Sequence, residues 1–124
     1  MADKRVVFIA FAIEDKTARD FLVGQSLNTK TPFEFIDMSV DEPYDEEWKK
    51  RVTTRIRRSH GVIALISANS LSSSGQKWEI QCAKDEGVPL LGLRIKSTDT
   101  TAIAGVRTIP WTWDGISNWI DGLA

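Results

Sequence analysis

The sequence predicts an α/β fold: a flavodoxin-like, doubly wound parallel sheet of about five strands with helices on both faces. Three observations lead there. Short apolar runs alternate with helix-period segments in the order β-α-β-α-β-α-β-loop-β-α. Two of those runs, VVFIAF and VIALI, are apolar throughout, as strands covered on both faces are. The chain has 124 residues, 42% of them apolar, which suits one domain spanning residues 1–124.

The elements follow in order. Residues 6–11 (VVFIAF) make the first strand, rich in β-branched and aromatic side chains. Residues 16–25 place Ala18, Phe21, Leu22 and Gln25 on one helical face, with Asp15 as the cap. Residues 33–38 (FEFIDM) give a second strand, interrupted by Glu34 and Asp37. Residues 46–59 align Trp48, Val52, Ile56 and Ser59 on a stripe, while acids lead the helix and arginines end it, complementing its macrodipole. Residues 62–66 (VIALI) form the third strand, and the serine-rich stretch 67–74 reads as a loop. The third helix, 77–86, carries Trp78, Ile80, Cys82 and Ala83, and Gly87 stops it. Residues 90–95 (LLGLRI) form a fourth strand; 108–111 form a short fifth, in which Pro110 removes a ladder donor. The last helix, 114–123, aligns Ile116, Trp119, Ile120 and Leu123 behind Asp114 as cap.

Composition narrows the function. One cysteine, Cys82, excludes a disulfide framework and a cysteine-based zinc site; one histidine, His60, excludes a His-rich metal centre, so no metal is expected. Cys82 reads as a small core residue, and His60 has no evident partner. Sixteen basic against 17 acidic residues give no electrostatic case for nucleic acid or a membrane surface. No apolar run approaches the ~20 residues that span a bilayer. The start of the chain lacks a signal-peptide cleavage pattern, so the cytoplasm is the expected address.

In a doubly wound sheet, ligands bind beyond the carboxyl ends of the strands, at the switch point beside the first strand. The segments to weigh are therefore 11–15, 39–45 and 67–75. The first, within FAIEDKT, has no glycine and is neither a dinucleotide fingerprint nor a P-loop. Ser67 stands where a phosphoacceptor receiver needs an aspartate. A carboxylate remains: Glu79, in the first turn of the third helix and next to Trp78. At the mouth of a parallel sheet it could hold sugar hydroxyls and stabilise a sugar cation. As a first-turn acid it also simply suits the helix dipole. Phe11, Ser39, Trp48, Ser67, Asn69 and Trp78 are candidate substrate contacts around it, each with an ordinary role as core or turn residue.

These residues resemble a family. VVFIAFAIEDK is similar to the opening block of TIR domains, and the run from Trp48-Lys49 through Arg55-Ile56 and Ser59 to VIALISANS to their helix–strand centre. KWEIQCA, GVPL and the ending IPWTWDGISNWIDGL look like the compact bacterial TIR-like family of the Thoeris anti-phage TIR subunit. The resemblance covers nearly the whole chain and puts the family's catalytic acid on Glu79. It departs at Gly75, where TIR domains usually carry a tryptophan four residues before the acid. The resemblance implies NAD as substrate, with no prosthetic group, and cleavage of the nicotinamide–ribose bond. The product would be ADP-ribose, or a cyclic or modified ADP-ribose signal read by a separate effector protein. It also implies homo-oligomeric TIR–TIR contacts, and it puts a gating loop on residues 41–47. Two alternatives stay open: a non-catalytic TIR interaction scaffold, and a nucleoside deoxyribosyltransferase-like enzyme with a carboxylate nucleophile.

Overall fold

The computed structural model describes residues 5–27, 33–36 and 45–123. Ser39, the end of the expected second strand at 37–38, and 41–44 of the expected gating loop lie outside the described residues. The chain forms β1 (Arg5–Ala10), α1 (Lys16–Leu27), β2 (Phe33–Ile36), α2 (Glu46–Arg58), β3 (Gly61–Ile66), α3 (Ser74–Asp85), β4 (Leu90–Arg94), β5 (Thr108–Pro110) and α4 (Trp113–Asp121). The five strands pair in parallel in the order β2-β1-β3-β4-β5. The chain therefore winds outward from β1 to β2, then crosses back to β3. That reversal makes the gap between the carboxyl ends of β1 and β3 the switch point.

The two-residue period of the strands splits the core into two layers. Phe8, Ala10, Val62, Ala64 and Ile66 face one side, against Trp48, Val52 and Ile56 of α2 and Ile80, Cys82 and Ala83 of α3. Val7, Ile9, Ile63, Leu65 and Leu93 face the other side, against Leu22 of α1 and Ile116 and Ile120 of α4. Each such large side chain, fully buried, contributes about 1.5–3 kcal/mol. β3 lies at the centre of the sheet and is buried along its whole length, which explains its lack of any polar residue. It begins at Gly61 because a Cβ there would come within 2.7 Å of the Trp119 indole.

The local chemistry differs from the sequence expectations at several ends. α3 starts at Ser74, three residues before the expected Lys77, because the Ser73 hydroxyl accepts from the Gln76 N–H and caps the helix. The serine-rich stretch is not an open loop: residues Ala68–Leu71 form a 3-10 turn in which Ser67 and Ser70 cap each other reciprocally. Asp15 does not cap α1, since it closes a 3-10 turn (Ile13–Asp15) and its carboxylate is engaged elsewhere. Thr112, not Asp114, caps α4, accepting from the Gly115 N–H. β1 ends at Ala10, one residue short of Phe11. β5 does form, with Pro110 as the last residue of an edge strand, where a missing donor is tolerated. His60 has a partner after all: its Nδ1 accepts from the Val6 N–H at 3.0 Å. Gly87 ends α3 as expected, with φ of +68°.

Candidate active site

The amino end of α3 lies over the switch point. Its first turn follows directly from β3 through the capped 3-10 turn, so residues 74–79 lie near the carboxyl ends of the strands. Glu79 is 5% exposed. With the helix beginning at Ser74, Glu79 is its sixth residue and sits in the second turn. The favourable N-terminal dipole fades within the first turn, so the simple dipole account of this acid loses its basis. The burial of this carboxylate is therefore set by what surrounds it and not by the helix dipole.

Aromatic rings flank the turn. Trp48, one turn into α2, is held by the Asp45 cap, whose carboxylate accepts from the Trp48 N–H at 2.9 Å. Its indole reaches Gly75: a Cβ at that position would touch the ring at 3.8 Å. Trp78 meets Trp48 edge-on, with ring centroids 5.8 Å apart. The space that a large side chain at position 75 would take is thus partly filled from α2 by the Trp48 indole. Trp78 also lines a shallow groove of about 170 Å³ between α2 and α3 with Thr53 and Cys82. Burial pushes the Cys82 thiol above its ordinary range, with the Thr53 hydroxyl partly opposing the shift, so it stays a protonated core residue.

One residue that sequence reasoning missed lies under this turn. Gln76 is 1% exposed, and its amide donates to Ala10 O at 3.0 Å and to Leu65 O at 2.7 Å. Those carbonyls belong to the carboxyl-terminal parts of β1 and β3, so one side chain bridges the two strands at the crossover. The sequence held no signal for it beyond its place three residues before Glu79.

The remaining candidates form a second neighbourhood. The Asp15 carboxylate accepts from the Ser67 hydroxyl at 2.6 Å and from the Asn69 side-chain amide at 3.0 Å. This tie locks the loop after β1 to the turn after β3. Ser67 and Asn69 each thereby help to position the rim. Phe11 packs with the α1/α4 layer, under the Arg19 guanidinium at 5.4 Å from its centroid, and not with the α2/α3 layer that holds Glu79. Beside them is an open cleft of about 550 Å³, lined by Glu14, Asp15, Phe21, Asn69, Lys96 and Trp111 among others. Glu79 is not among its lining residues. The structure therefore brings Trp48 to Trp78 and to Gly75 of α3, joins Ser67 and Asn69 through the Asp15 carboxylate, and places Phe11 in the other core layer. Among the described residues no group of three His, Cys, Asp or Glu side chains could hold a metal ion, and no helix is long and apolar enough to cross a membrane.

A family model described as the TIR-like domain of the Thoeris protein ThsB matches residues 8–100. That span runs from β1 past the end of β4 and includes Glu79, Gln76 and the Asp15 tie. No curated protein matches the chain.

Proposed function

The chain belongs to the TIR-like domain family of the Thoeris protein ThsB, a family of anti-phage defence, and from that premise we propose that it cleaves NAD at the nicotinamide–ribose bond. The observation that carries the reading is the burial of Glu79 in the second turn of α3, one turn beyond Gly75, which the Trp48 indole reaches. A parallel sheet offers its ligands that place, and a buried acid there has a use when a positive sugar centre develops next to it.

The bond that breaks joins the ribose anomeric carbon to the pyridinium nitrogen. Its electron pair leaves with nicotinamide, which departs neutral and needs no proton. The ribose gains oxocarbenium character. The Glu79 carboxylate accepts hydrogen bonds from the ribose hydroxyls and lowers the energy of the cationic centre. An oriented group of this kind, removed, costs about 10²–10³ in rate. An oxygen or nitrogen nucleophile then bonds to the anomeric carbon and gives up its proton. Water yields ADP-ribose; a group of the same molecule yields a cyclic isomer; either can serve as a diffusible signal to a separate effector. Assembly through TIR–TIR contacts completes the reading.

The test is nicotinamide release from NAD by the purified protein and by Glu79→Gln. The variant is expected to lose at least about 100-fold in rate while melting within a few degrees of the wild type. A variant as active as the wild type would remove Glu79 from the chemistry. A folded wild type that releases nothing at any protein concentration would leave the interaction scaffold as the better reading.

A further inference from the structure

The open cleft of about 550 Å³ beside α1 is of small-molecule size, since ligand sites commonly run from about 300 to 1,000 Å³. It collects residues from beyond the carboxyl ends of β1, β3, β4 and β5, the end at which doubly wound sheets bind their ligands. The polar part of its lining is lopsided. Asp15 lines the cleft at 9% exposure, and its carboxylate accepts from two neutral groups, the Ser67 hydroxyl and the Asn69 amide. No lysine, arginine or histidine pairs with it among the described residues. A buried carboxylate is best served by hydrogen bonds and a counter-charge together, and here the counter-charge is missing. Glu14, next to it, is exposed and has no hydrogen-bond or ion-pair partner among the described residues.

One cationic side chain, Lys96, stands in the lining. It is already matched outside the cleft: the Asp99 carboxyl is held below the ordinary carboxylate range first by the Thr101 hydroxyl and, to a smaller degree, by the Lys96 ammonium. The amino end of α1 adds about half a positive charge, which two carboxylates exceed. The cleft is therefore short of positive charge. Its apolar lining is largely aromatic. Phe21 and Trp111 lie with centroids 5.9 Å apart, tilted by 53°. The Trp111 indole N–H is spent on Gln25 Oε1 at 2.9 Å, which fixes the ring. Aromatic rings attract cations through their faces and pack well against an apolar body.

We propose that this cleft is a binding site for a small organic cation: one ammonium group, taken by the Glu14 and Asp15 carboxylates, on an apolar body packed against Phe21 and Trp111. A neutral ligand would leave both carboxylates without a counter-charge, and an anion would meet them with its own. A second ammonium would meet Lys96, so the ligand carries a single charge. Glu79 is not part of the lining, so the site is separate from the proposed reaction and does not depend on it.

The experiment compares indoles of similar size and different charge: cationic tryptamine, neutral indole-3-ethanol and anionic indole-3-acetate. Binding near neutral pH is measured by calorimetry for the wild type, Glu14→Gln, Asp15→Asn and Glu79→Gln, with melting curves for each. The wild type is expected to bind tryptamine about tenfold more tightly than the alcohol, and the acid more weakly than either. Added salt should weaken tryptamine and leave the alcohol unchanged. Glu14→Gln changes an exposed side chain, so it should fold as the wild type does, and its preference for tryptamine should fall about three- to tenfold with alcohol binding unchanged. Glu79→Gln should bind all three compounds as the wild type does, and saturating NAD should not displace tryptamine. Equal binding of amine and alcohol, tighter binding of the acid, or no binding of tryptamine overturns the proposal. So does a preference that survives both Glu14→Gln and Asp15→Asn; if Asp15→Asn does not fold, Glu14→Gln decides alone. Displacement of tryptamine by NAD would merge the cleft with the substrate site and overturn its separateness. A protein that selects the amine but releases no nicotinamide loses the proposed reaction and keeps this site.

Discussion

Single side chains set the rim of this sheet, and Asp99 shows how. The Thr101 hydroxyl donates to its carboxylate at 2.5 Å, the Thr101 N–H at 2.9 Å, and the Ala68 N–H at 3.1 Å. These hydrogen bonds, the Thr101 hydroxyl foremost, hold the Asp99 carboxyl below the ordinary carboxylate range. They fasten the segment after β4 to the turn that carries Asn69. A folded-state pKa below the unfolded value means that folding favours the ionised form. The contribution is present above the unfolded pKa of about 3.9 and is lost as pH falls through the folded value. Asp99→Asn is therefore expected to melt below the wild type at neutral pH, with the gap narrowing as pH drops beneath about 4. Melting curves from pH 7 down to about 3 check this, and a gap constant over that range would show that the charge of Asp99 is irrelevant. Asp15 makes the complementary tie, to partners 52 and 54 residues further along the chain. Such separations explain why the role of Asp15 was not legible: next to Lys16–Gln25 it read as the cap of the first helix.

At the scale of elements the pattern of apolar residues carried most of the information. VIALI had no alternative to a buried strand, and the stripe of Trp48, Val52 and Ile56 is buried as its spacing requires. Ends were less legible, because several residues near each boundary can cap. The stretch SANSLSSS contains two caps, Ser67 for the 3-10 turn and Ser73 for α3, and composition cannot choose between five serines and an asparagine. The choice matters for function, since it moves Glu79 from the first turn to the second. Gln76 was invisible for a related reason: a glutamine in a helix reads as surface, and only the carbonyls of Ala10 and Leu65 draw it inside. The cap assignment makes a prediction of its own. Ser73→Ala should cost about 1 kcal/mol, a typical N-cap loss, and loosen the turn that carries Gln76 and Glu79. Ser72→Ala removes only a hydroxyl that donates to Asn69 O on an exposed site, and should be close to neutral. Chemical denaturation of the two variants distinguishes them; equal stability would place the start of α3 elsewhere.

Across the whole molecule, the apolar surface is unevenly spent. Two layers of core cover both faces of the sheet, yet Ile13, Phe21 and Leu71 remain 59%, 61% and 54% exposed. All three belong to segments that begin at the carboxyl end of the strands, the end that bears Glu79. Phe21 also leans on Trp111, with centroids 5.9 Å apart, at the edge of the cleft beside the Asp15 tie. Single exposed apolar residues are ordinary, but three near one rim are what a self-associating surface requires. The proposed TIR–TIR assembly would cover them and let a neighbouring chain complete the site. NAD cleavage should then rise faster than linearly with protein concentration. Burying an aromatic side chain contributes about 1.5–3 kcal/mol, so Phe21→Asp should move the concentration for half-maximal specific activity upward by about tenfold or more. Phe21 touches neither Glu79's helix nor Gln76, so at saturating protein the variant should approach the wild-type rate. Rates measured over a thousandfold dilution series, with sedimentation of the same samples, decide the matter. A rate strictly proportional to concentration down to a sedimenting monomer would mean that one chain holds the complete site, and that these apolar residues serve something other than catalysis.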